Sequence, residues 1–143
     1  MSATNYLENS VLKLLFNSAP ITGLATNATV APVGTYYLSL HMSDPGEDGT
    51  QTTNEANYTG YGRAAVTRDT SGWIVTNATV QNATVVDFPT SVGGSSVVTH
   101  FGIGTDVIGS GTLLFSGPLA TSLSVTNNTT PSFNAGNLTI TVD

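Results

Sequence analysis

The stretch Thr35–Ser43, TYYLSLHMS, alternates apolar and polar side chains residue by residue, and this alternation decides the fold. Successive side chains of a β-strand point to opposite faces, so a period of two collects the apolar ones on one side. The apolar phase is Tyr36, Leu38, Leu40 and Met42, and the polar phase is Tyr37, Ser39, His41 and Ser43. The stretch therefore predicts a strand with one buried face and one face in water.

Short strands follow at near-regular spacing, separated by turns rich in Gly, Pro and Asn. The predicted strands are Tyr61–Arg68, Trp73–Thr76, Ala83–Phe88, Ser96–Gly104, Thr112–Ser116, Leu123–Thr126 and a last segment with Leu138, Ile140 and Val142 on one face. Such a series is typical of antiparallel sandwiches. The predicted fold class is mainly β, a single antiparallel β-sandwich of jelly-roll type with one N-terminal α-helix.

The one predicted helix runs from about Tyr6 to Phe16. Asn5 and Glu8 have the spacing of a capping box, and Pro20 lies beyond the helix end. The predicted apolar stripe of this helix is Leu7, Val11, Leu14 and Leu15. The stretch Ile21–Pro32 has neither period and is interpreted as a loop or a poorly formed strand. We divide the chain into an N-terminal helix and arm, residues 1–20, and a sandwich domain, residues 21–143.

The composition excludes several classes of function. The 143 residues include three Lys or Arg, nine Asp or Glu and no Cys, for a net charge of −6. Nucleic-acid binding needs clustered cations, and disulfides or thiolate metal sites need Cys. No apolar run approaches the roughly 18 residues of a membrane span, and the first residues lack the order of a signal peptide. We therefore expect no nucleic-acid or membrane partner, and synthesis in the cytoplasm.

Few side chains could carry chemistry. His41 and His100, the two imidazoles, both lie in predicted strands and could share a site, but their spacing does not demand one, and we expect ordinary hydrogen-bonded histidines. Asp44, Glu47 and Asp48 cluster in a glycine-containing loop, but the ligand spacing of a calcium loop is missing. A solvated acidic turn accounts for the same residues.

Motifs for catalysis are also missing. The carboxylates that a glycosidase pair would need stand in no recognisable context, and the sequence contains neither a nucleophile elbow nor a phosphate loop. Gly102-Ile103-Gly104 is interpreted as a strand end, because no helix follows it as in a dinucleotide-binding motif. We expect a protein that is not an enzyme and that binds no cofactor or metal.

Segments along nearly the whole chain resemble small virion proteins of tailed bacteriophages, in the same order. They are Tyr6–Asn9, Tyr37–His41, Asp44–Glu47, Gly49–Glu55, Tyr58–Tyr61, Phe88-Pro89, Val98–Gly104 and Pro131–Thr141. Members of this group are described as tail-fibre proteins or as head proteins. The resemblance implies a structural virion component and carries over no catalytic residue.

Features of the sequence itself favour one location in the virion. A fibre normally shows repeats, heptads or elongated segments, and this sequence has none. We therefore expect a capsid cement or decoration protein on the capsid surface, a homotrimer that binds the major capsid protein. The alternative is a tail-fibre or tail-tip module that binds cell-surface sugars through Tyr and Trp. A small hydrolase acting on the host envelope is the least supported hypothesis.

Contacts with partners are expected on the helix, on the Asp44–Asn57 loop that follows the first strand and on the Ile21–Pro32 stretch, because termini and long loops carry binding on rigid sandwiches. The helical stripe either packs on the body of the protein or docks onto a neighbour. The predicted interface residues are Tyr6, Leu7, Val11, Leu14, Leu15, Asp44, Glu47, Asp48, Asn54 and Glu55.

Overall fold

The computed structural model of the chain describes residues 2–142 and contains one helix and nine strands within them. The predicted class is confirmed, since the structure is mainly β with antiparallel strand pairs and one helix near the N-terminus. In this part of the chain, no helix has the length and apolar character that crossing a membrane requires. The elements are α1 Asn5–Asn17, β1 Thr35–His41, β2 Ala64–Thr67, β3 Trp73–Thr76, β4 Thr79–Asn82, β5 Val86–Asp87, β6 Ser96–Gly104, β7 Leu113–Val125, β8 Ser132–Phe133 and β9 Thr139–Thr141.

The strands form three sheets, and the chain forms two compact units. The sheet orders are β2-β1-β6-β7, β3-β4-β9 and β5-β8. The first unit contains residues 2–35, 67–86 and 133–142, and the second unit contains residues 36–66 and 87–132. Each unit therefore combines segments that are distant in the sequence.

The helix packs in the first unit through a stripe that differs from the predicted one. Leu12 and Phe16 are fully buried, and the Phe16 ring meets the Trp73 ring edge-on at 4.9 Å between centroids. The predicted stripe was wrong in phase: Leu7 is exposed, and Val11, Leu14 and Leu15 are only half-buried. The contact with Trp73 explains the difference, because two large aromatic rings bury more apolar area than a leucine does.

The helix bounds agree with the prediction, but the cap does not. Thr4, not Asn5, is the N-cap, and its hydroxyl accepts a hydrogen bond from the Leu7 amide at 3.4 Å. Ser18 ends the helix in the left-handed conformation, at φ 57°, and Ala19 donates its amide to the Lys13 carbonyl at 3.1 Å. Thr4 can cap because its backbone is extended, as the N-cap position requires.

Arg68 holds the C-terminal end of the helix. Its guanidinium donates to the carbonyls of Leu14, at 2.6 Å, and Leu15, which are among the carbonyls that a helix end leaves without an internal partner. It also donates to the Asn27 side chain at 2.7 Å and to the Val33 carbonyl at 3.0 Å. One cation therefore fixes both the helix end and the segment that leads into β1.

Two of the predicted strands are shorter than expected. The stretch Tyr61–Arg68 forms only β2, Ala64–Thr67, and the stretch Ala83–Phe88 forms only β5, Val86–Asp87. The sequence prediction missed β4, which pairs with β3 through a turn where Asn77 has φ 54°. Asn tolerates this left-handed conformation better than most residues, so it allows the tight turn between β3 and β4.

Asn82 joins the C-terminal segment to β4 in the first unit. Its fully buried side-chain amide donates to the carbonyls of Thr84, at 2.8 Å, and Asn134, at 3.0 Å. Its oxygen accepts from the Leu138 amide at 2.9 Å. The predicted last strand is confirmed as β9, which pairs with β4.

The four-stranded sheet of the second unit is covered on both faces at β1. Leu38 and Leu40 are buried as predicted, but Ser39 and His41 are buried as well. The prediction of one face in water was therefore wrong, because the loop after β1 folds over the polar face.

Strand β6 has the predicted bounds, and the two strands predicted after it form one element. Residues 113–118 of β7 pair with His100–Gly104, and residues 123–125 pair with Ser96–Val98. The four residues between them stand opposite Thr99 alone, where the register shifts. The two predicted strands are thus two paired segments joined by a bulge. The short strand β8 was not predicted.

Asn82→Ala tests the connection to the C-terminal segment. The change leaves the buried Leu138 amide and the Thr84 and Asn134 carbonyls without the Asn82 side chain as partner, so we expect the free energy of unfolding to fall by about 2–3 kcal/mol. Urea denaturation measures this loss as a lower midpoint at unchanged slope. Asn127→Ala, at an exposed position, is the control and should change stability by less than about 0.5 kcal/mol. Equal midpoints for the two variants would contradict the role of Asn82.

Candidate binding surface

Two loops of the second unit form the candidate surface. The 42–57 loop follows β1, and the 105–112 loop joins β6 to β7. Two backbone hydrogen bonds hold the base of the first loop together. Met42 donates to the Asn54 carbonyl at 2.7 Å, and Ala56 donates to the carbonyl of Leu40 in β1 at 2.8 Å. It holds five of the predicted interface residues.

Gln51 connects the two loops. Its side chain is fully buried, its Nε2 donates to the Tyr37 carbonyl at 3.3 Å, and its Oε1 accepts from the Asp106 amide at 3.0 Å. Its own amide donates to the Ser110 carbonyl at 2.9 Å. Gln51 therefore ties the 42–57 loop to β1 and to the 105–112 loop at once.

The Gly102-Ile103-Gly104 segment makes room for these side chains. A Cβ atom at Gly104 would overlap the Gln51 side chain, and one at Gly102 would lie 2.6 Å from Ser39 Oγ and 2.7 Å from His41 Nε2. The two glycines are needed because loop and strand side chains lie directly on the β6 backbone.

His41 is a buried structural residue. Its Nδ1 donates to the Thr53 carbonyl and its Nε2 accepts from the Ser39 hydroxyl, each at 2.8 Å. Burial lowers the pKa of His41, and the Thr53 hydrogen bond opposes that shift in part. His100 lies opposite His41 in the β1–β6 register, with its Nδ1 2.8 Å from Thr99 Oγ1. The two imidazoles are neighbours, but both nitrogens of His41 are engaged.

Arg63 and Glu55 form a bidentate ion pair below the 105–112 loop. Arg63 donates from Nε to Glu55 Oε1 at 2.7 Å and from Nη2 to Oε2 at 2.9 Å. The same guanidinium donates to the carbonyls of Asp106, at 2.8 Å, and Gly109, at 2.7 Å. The hydrogen bonds to Glu55 raise the pKa of Arg63. Arg63 therefore neutralises the Glu55 carboxylate and also holds the backbone of the 105–112 loop in place.

Tyr61 completes this cluster. Its hydroxyl donates to Glu55 Oε1 at 2.8 Å and accepts from the Leu40 amide at 3.1 Å. Burial raises the pKa of Tyr61 far above its ordinary range, so the phenol stays protonated. The polar atoms of Glu55, Tyr61 and Arg63 are thus engaged within the protein.

The apolar tip of the 105–112 loop faces solvent. Val107 is 53% exposed and Ile108 is 80% exposed. Beside them lies an open pocket of about 210 Å³, which is lined by Glu55, Tyr61, Gly62, Arg63, Val107, Ile108 and Gly109. The surface thus combines a rigid base with an unburied apolar tip.

The acidic turn of the 42–57 loop lies beside β7. Asp44 Oδ1 accepts from the Gly46 amide at 2.9 Å, which stabilises the turn. Shallow pockets of about 340 and 250 Å³ separate this turn from β7, and both are lined in part by Gly46, Glu47 and Ser116. Within residues 2–142, no three His, Asp or Glu side chains are grouped so that they could hold a metal ion.

The structure places the predicted interface residues in separate settings. Four of them in the 42–57 loop are exposed to solvent: Asp44, Glu47, Asp48 and Asn54. Asn54 has a left-handed backbone conformation, at φ 53°, which Asn adopts more readily than most residues. Glu55 points instead into the ion pair.

On the helix, the predicted interface residues belong to the first unit. Tyr6 is 63% exposed and Leu7 is 41% exposed, whereas Val11, Leu14 and Leu15 are half-buried. No local sequence pattern singles out Gln51 or Ile108. Arg63 could have been noticed, because it is one of only three cationic residues.

Arg63→Gln tests the ion pair. The change leaves the largely buried Glu55 carboxylate without its partner, so we expect a loss of about 3 kcal/mol in the free energy of unfolding. Guanidinium denaturation checks this. Lys13→Gln removes an exposed cation and should have an effect near zero.

The double variant Arg63→Gln, Glu55→Gln sharpens this test. It should recover part of the loss, because no isolated charge is left buried. If Arg63→Gln alone is as stable as the wild type, the ion pair does not stabilise the fold.

Acid should weaken the fold through His41. Its pKa in the folded protein lies below the ordinary value of about 6.5, so the unfolded chain binds the proton first as the pH falls. The contribution of His41 is therefore present above about pH 6.5 and is lost as the pH drops towards the folded pKa. Thermal unfolding at pH 7.5 and 5.0 should show a larger loss for the wild type than for His41→Gln. Equal losses would mean that His41 plays no part in the acid response.

Comparison with known proteins connects this architecture to a family. A family model described as podophage GP4 fiber I protein gp80 matches residues 2–141. No curated protein matches the chain. The match confirms the predicted resemblance at the level of a bacteriophage virion structural protein. Because it covers nearly the entire sequence, the chain belongs to the family of podophage GP4 fiber I protein gp80.

Proposed function

We propose that this protein is a structural subunit of a phage tail fibre. The observation that carries the proposal is the family match over residues 2–141, whose description names a fibre protein. It favours the tail-fibre alternative of the sequence analysis over the capsid cement that the sequence alone suggested. The protein would act by assembling with other virion subunits.

The second unit suits a role in assembly rather than in catalysis. His41 is buried with both ring nitrogens engaged, and Glu55 is held by Arg63 and Tyr61. A general base must reach the proton that it removes, and neither group has a free position for this. Rigid loops with exposed apolar tips instead offer shape to a partner. We propose a non-enzymatic function on these grounds.

Capsid cement is the second candidate, and one observation favours it. The sequence contains no fibrous repeat or heptad array, and most of its strands are short. A compact protein of this kind could bind the major capsid protein on the capsid surface through the acidic turn or the helix. Homo-oligomers, expected as trimers, fit either location.

Locating the protein in the particle separates the two candidates. Antibodies raised against the purified chain, followed by gold labelling and electron microscopy of intact virions, should label the tail. Quantitative gels of the same virions should give a small copy number per particle. Label over the head, together with hundreds of copies, would reject the tail-fibre proposal in favour of capsid cement.

A further inference from the structure

The fully buried side chain of His41 connects strand β1 to the 42–57 loop. Its Nδ1 donates to the carbonyl of Thr53 in that loop, and its Nε2 accepts from the hydroxyl of Ser39 in β1, each at 2.8 Å. A carbonyl can only accept, so this pattern requires the neutral ring with its proton on Nδ1. The closed position of the loop therefore depends on the protonation state of His41.

A second proton on the ring conflicts with this arrangement. A proton on Nε2 would face the Ser39 hydroxyl, which would have to turn round and lose the acceptor that it now has. Ser39 is fully buried as well, so water does not replace the lost hydrogen bond. The ring cannot move away, because Gly102 of β6 lies directly beside it, where even a Cβ atom would come within 2.7 Å of Nε2.

The charged groups near His41 do not offset a positive ring. Burial lowers the pKa of His41, and the charges of Arg63 and His100 act in the same direction. Glu55 acts against this shift. However, both of its carboxylate oxygens accept from Arg63, and one of them also accepts from the Tyr61 hydroxyl. A proton on His41 is therefore accepted most readily when the ring reaches water.

The loop can open without the sheet, because polar contacts hold it in place. Between residues 42 and 54 the buried side chains are those of Pro45 and Gln51. Leu38 and Leu40 of β1, by contrast, belong to the buried apolar core. Segments with few buried apolar contacts open at a lower free energy than the core does. Opening the loop uncovers His41 while the pairing of β1 with β6 stays formed.

We propose that the 42–57 loop is an acid-released latch, which is closed over β1 at neutral pH and opens when His41 binds a second ring proton. In the open state His41 titrates near its ordinary pKa of about 6.5, so the closed state is favoured above that pH and loses its advantage below it. The exposed acids Asp44, Glu47 and Asp48 lie on this loop, so acid would also disperse that acidic turn. The latch is a property of the isolated chain, so its failure would leave the proposed function standing.

Amide hydrogen exchange of the full chain at pH 7.5 and pH 5.0, corrected for intrinsic exchange rates, tests the latch. The Met42 and Gln51 amides report on the loop, and the Ile103 amide reports on the sheet. At pH 7.5 the three amides should be protected to a comparable degree. At pH 5.0 the two loop amides should lose about tenfold or more of their protection relative to Ile103. An unchanged ratio would overturn the proposal, and so would an equal loss at all three amides, which means that the whole fold opens at once.

Two variants test whether His41 is the trigger. His41→Gln keeps a donor and an acceptor at this position but does not titrate, so its loop amides should keep the same protection relative to Ile103 at both pH values. His100→Gln is the matched control, because it removes the half-buried imidazole of β6, and it should retain the acid response of the wild type. A His41→Gln protein that responds to acid like the wild type, or a His100→Gln protein that does not respond, would overturn the role of His41. The wild-type comparison decides the proposal even if either variant fails to fold.

Discussion

Arg63 places one guanidinium between the Glu55 carboxylate and two carbonyls of the 105–112 loop, and the second unit depends on this arrangement. A planar fork can serve a carboxylate and backbone oxygens at the same time, which a lysine could not do. Tyr61 adds a hydrogen bond to the same carboxylate and reaches the backbone of β1. The loop, the carboxylate and the sheet are therefore held by one group of side chains.

The few cationic residues of the chain have structural roles. Of the three cationic residues, Arg63 holds the loops of the second unit and Arg68 holds the helix end of the first. Both arginines bind backbone carbonyls, so they act as cross-links within the fold. Solubility then rests on the exposed acids and on the many Thr, Ser and Asn side chains. Such a surface suits a protein that works among other subunits.

Local patterns predicted the elements that depend on local sequence. The β-branched run Ser96–Gly104 and the short stretch Trp73–Thr76 form strands with the predicted bounds, and the helix is correct within a residue at each end. The helical stripe was wrong because its packing depends on Trp73, which is distant in the sequence. The second face of β1 was missed for the same kind of reason, since a later loop covers Ser39 and His41.

The candidate site was predictable only in part. An acidic glycine-containing turn is exposed in most proteins, and Asp44, Glu47 and Asp48 follow that rule. Nothing local distinguishes Gln51 from an ordinary polar loop residue, or Ile108 from a core residue. Their roles arise from contacts across about fifty residues of chain, as between Gln51 and Asp106.

Amide hydrogen exchange of the wild-type protein tests most directly whether the 105–112 loop is rigid. The Asp106 and Gln51 amides donate to Gln51 Oε1 and to the Ser110 carbonyl, at 3.0 and 2.9 Å. We predict protection of both amides comparable to that of Ile103 in the adjoining strand β6, because the loop opens only with the sheet. Exchange of these two amides at the rate of an unstructured peptide, with Ile103 still protected, would contradict the account.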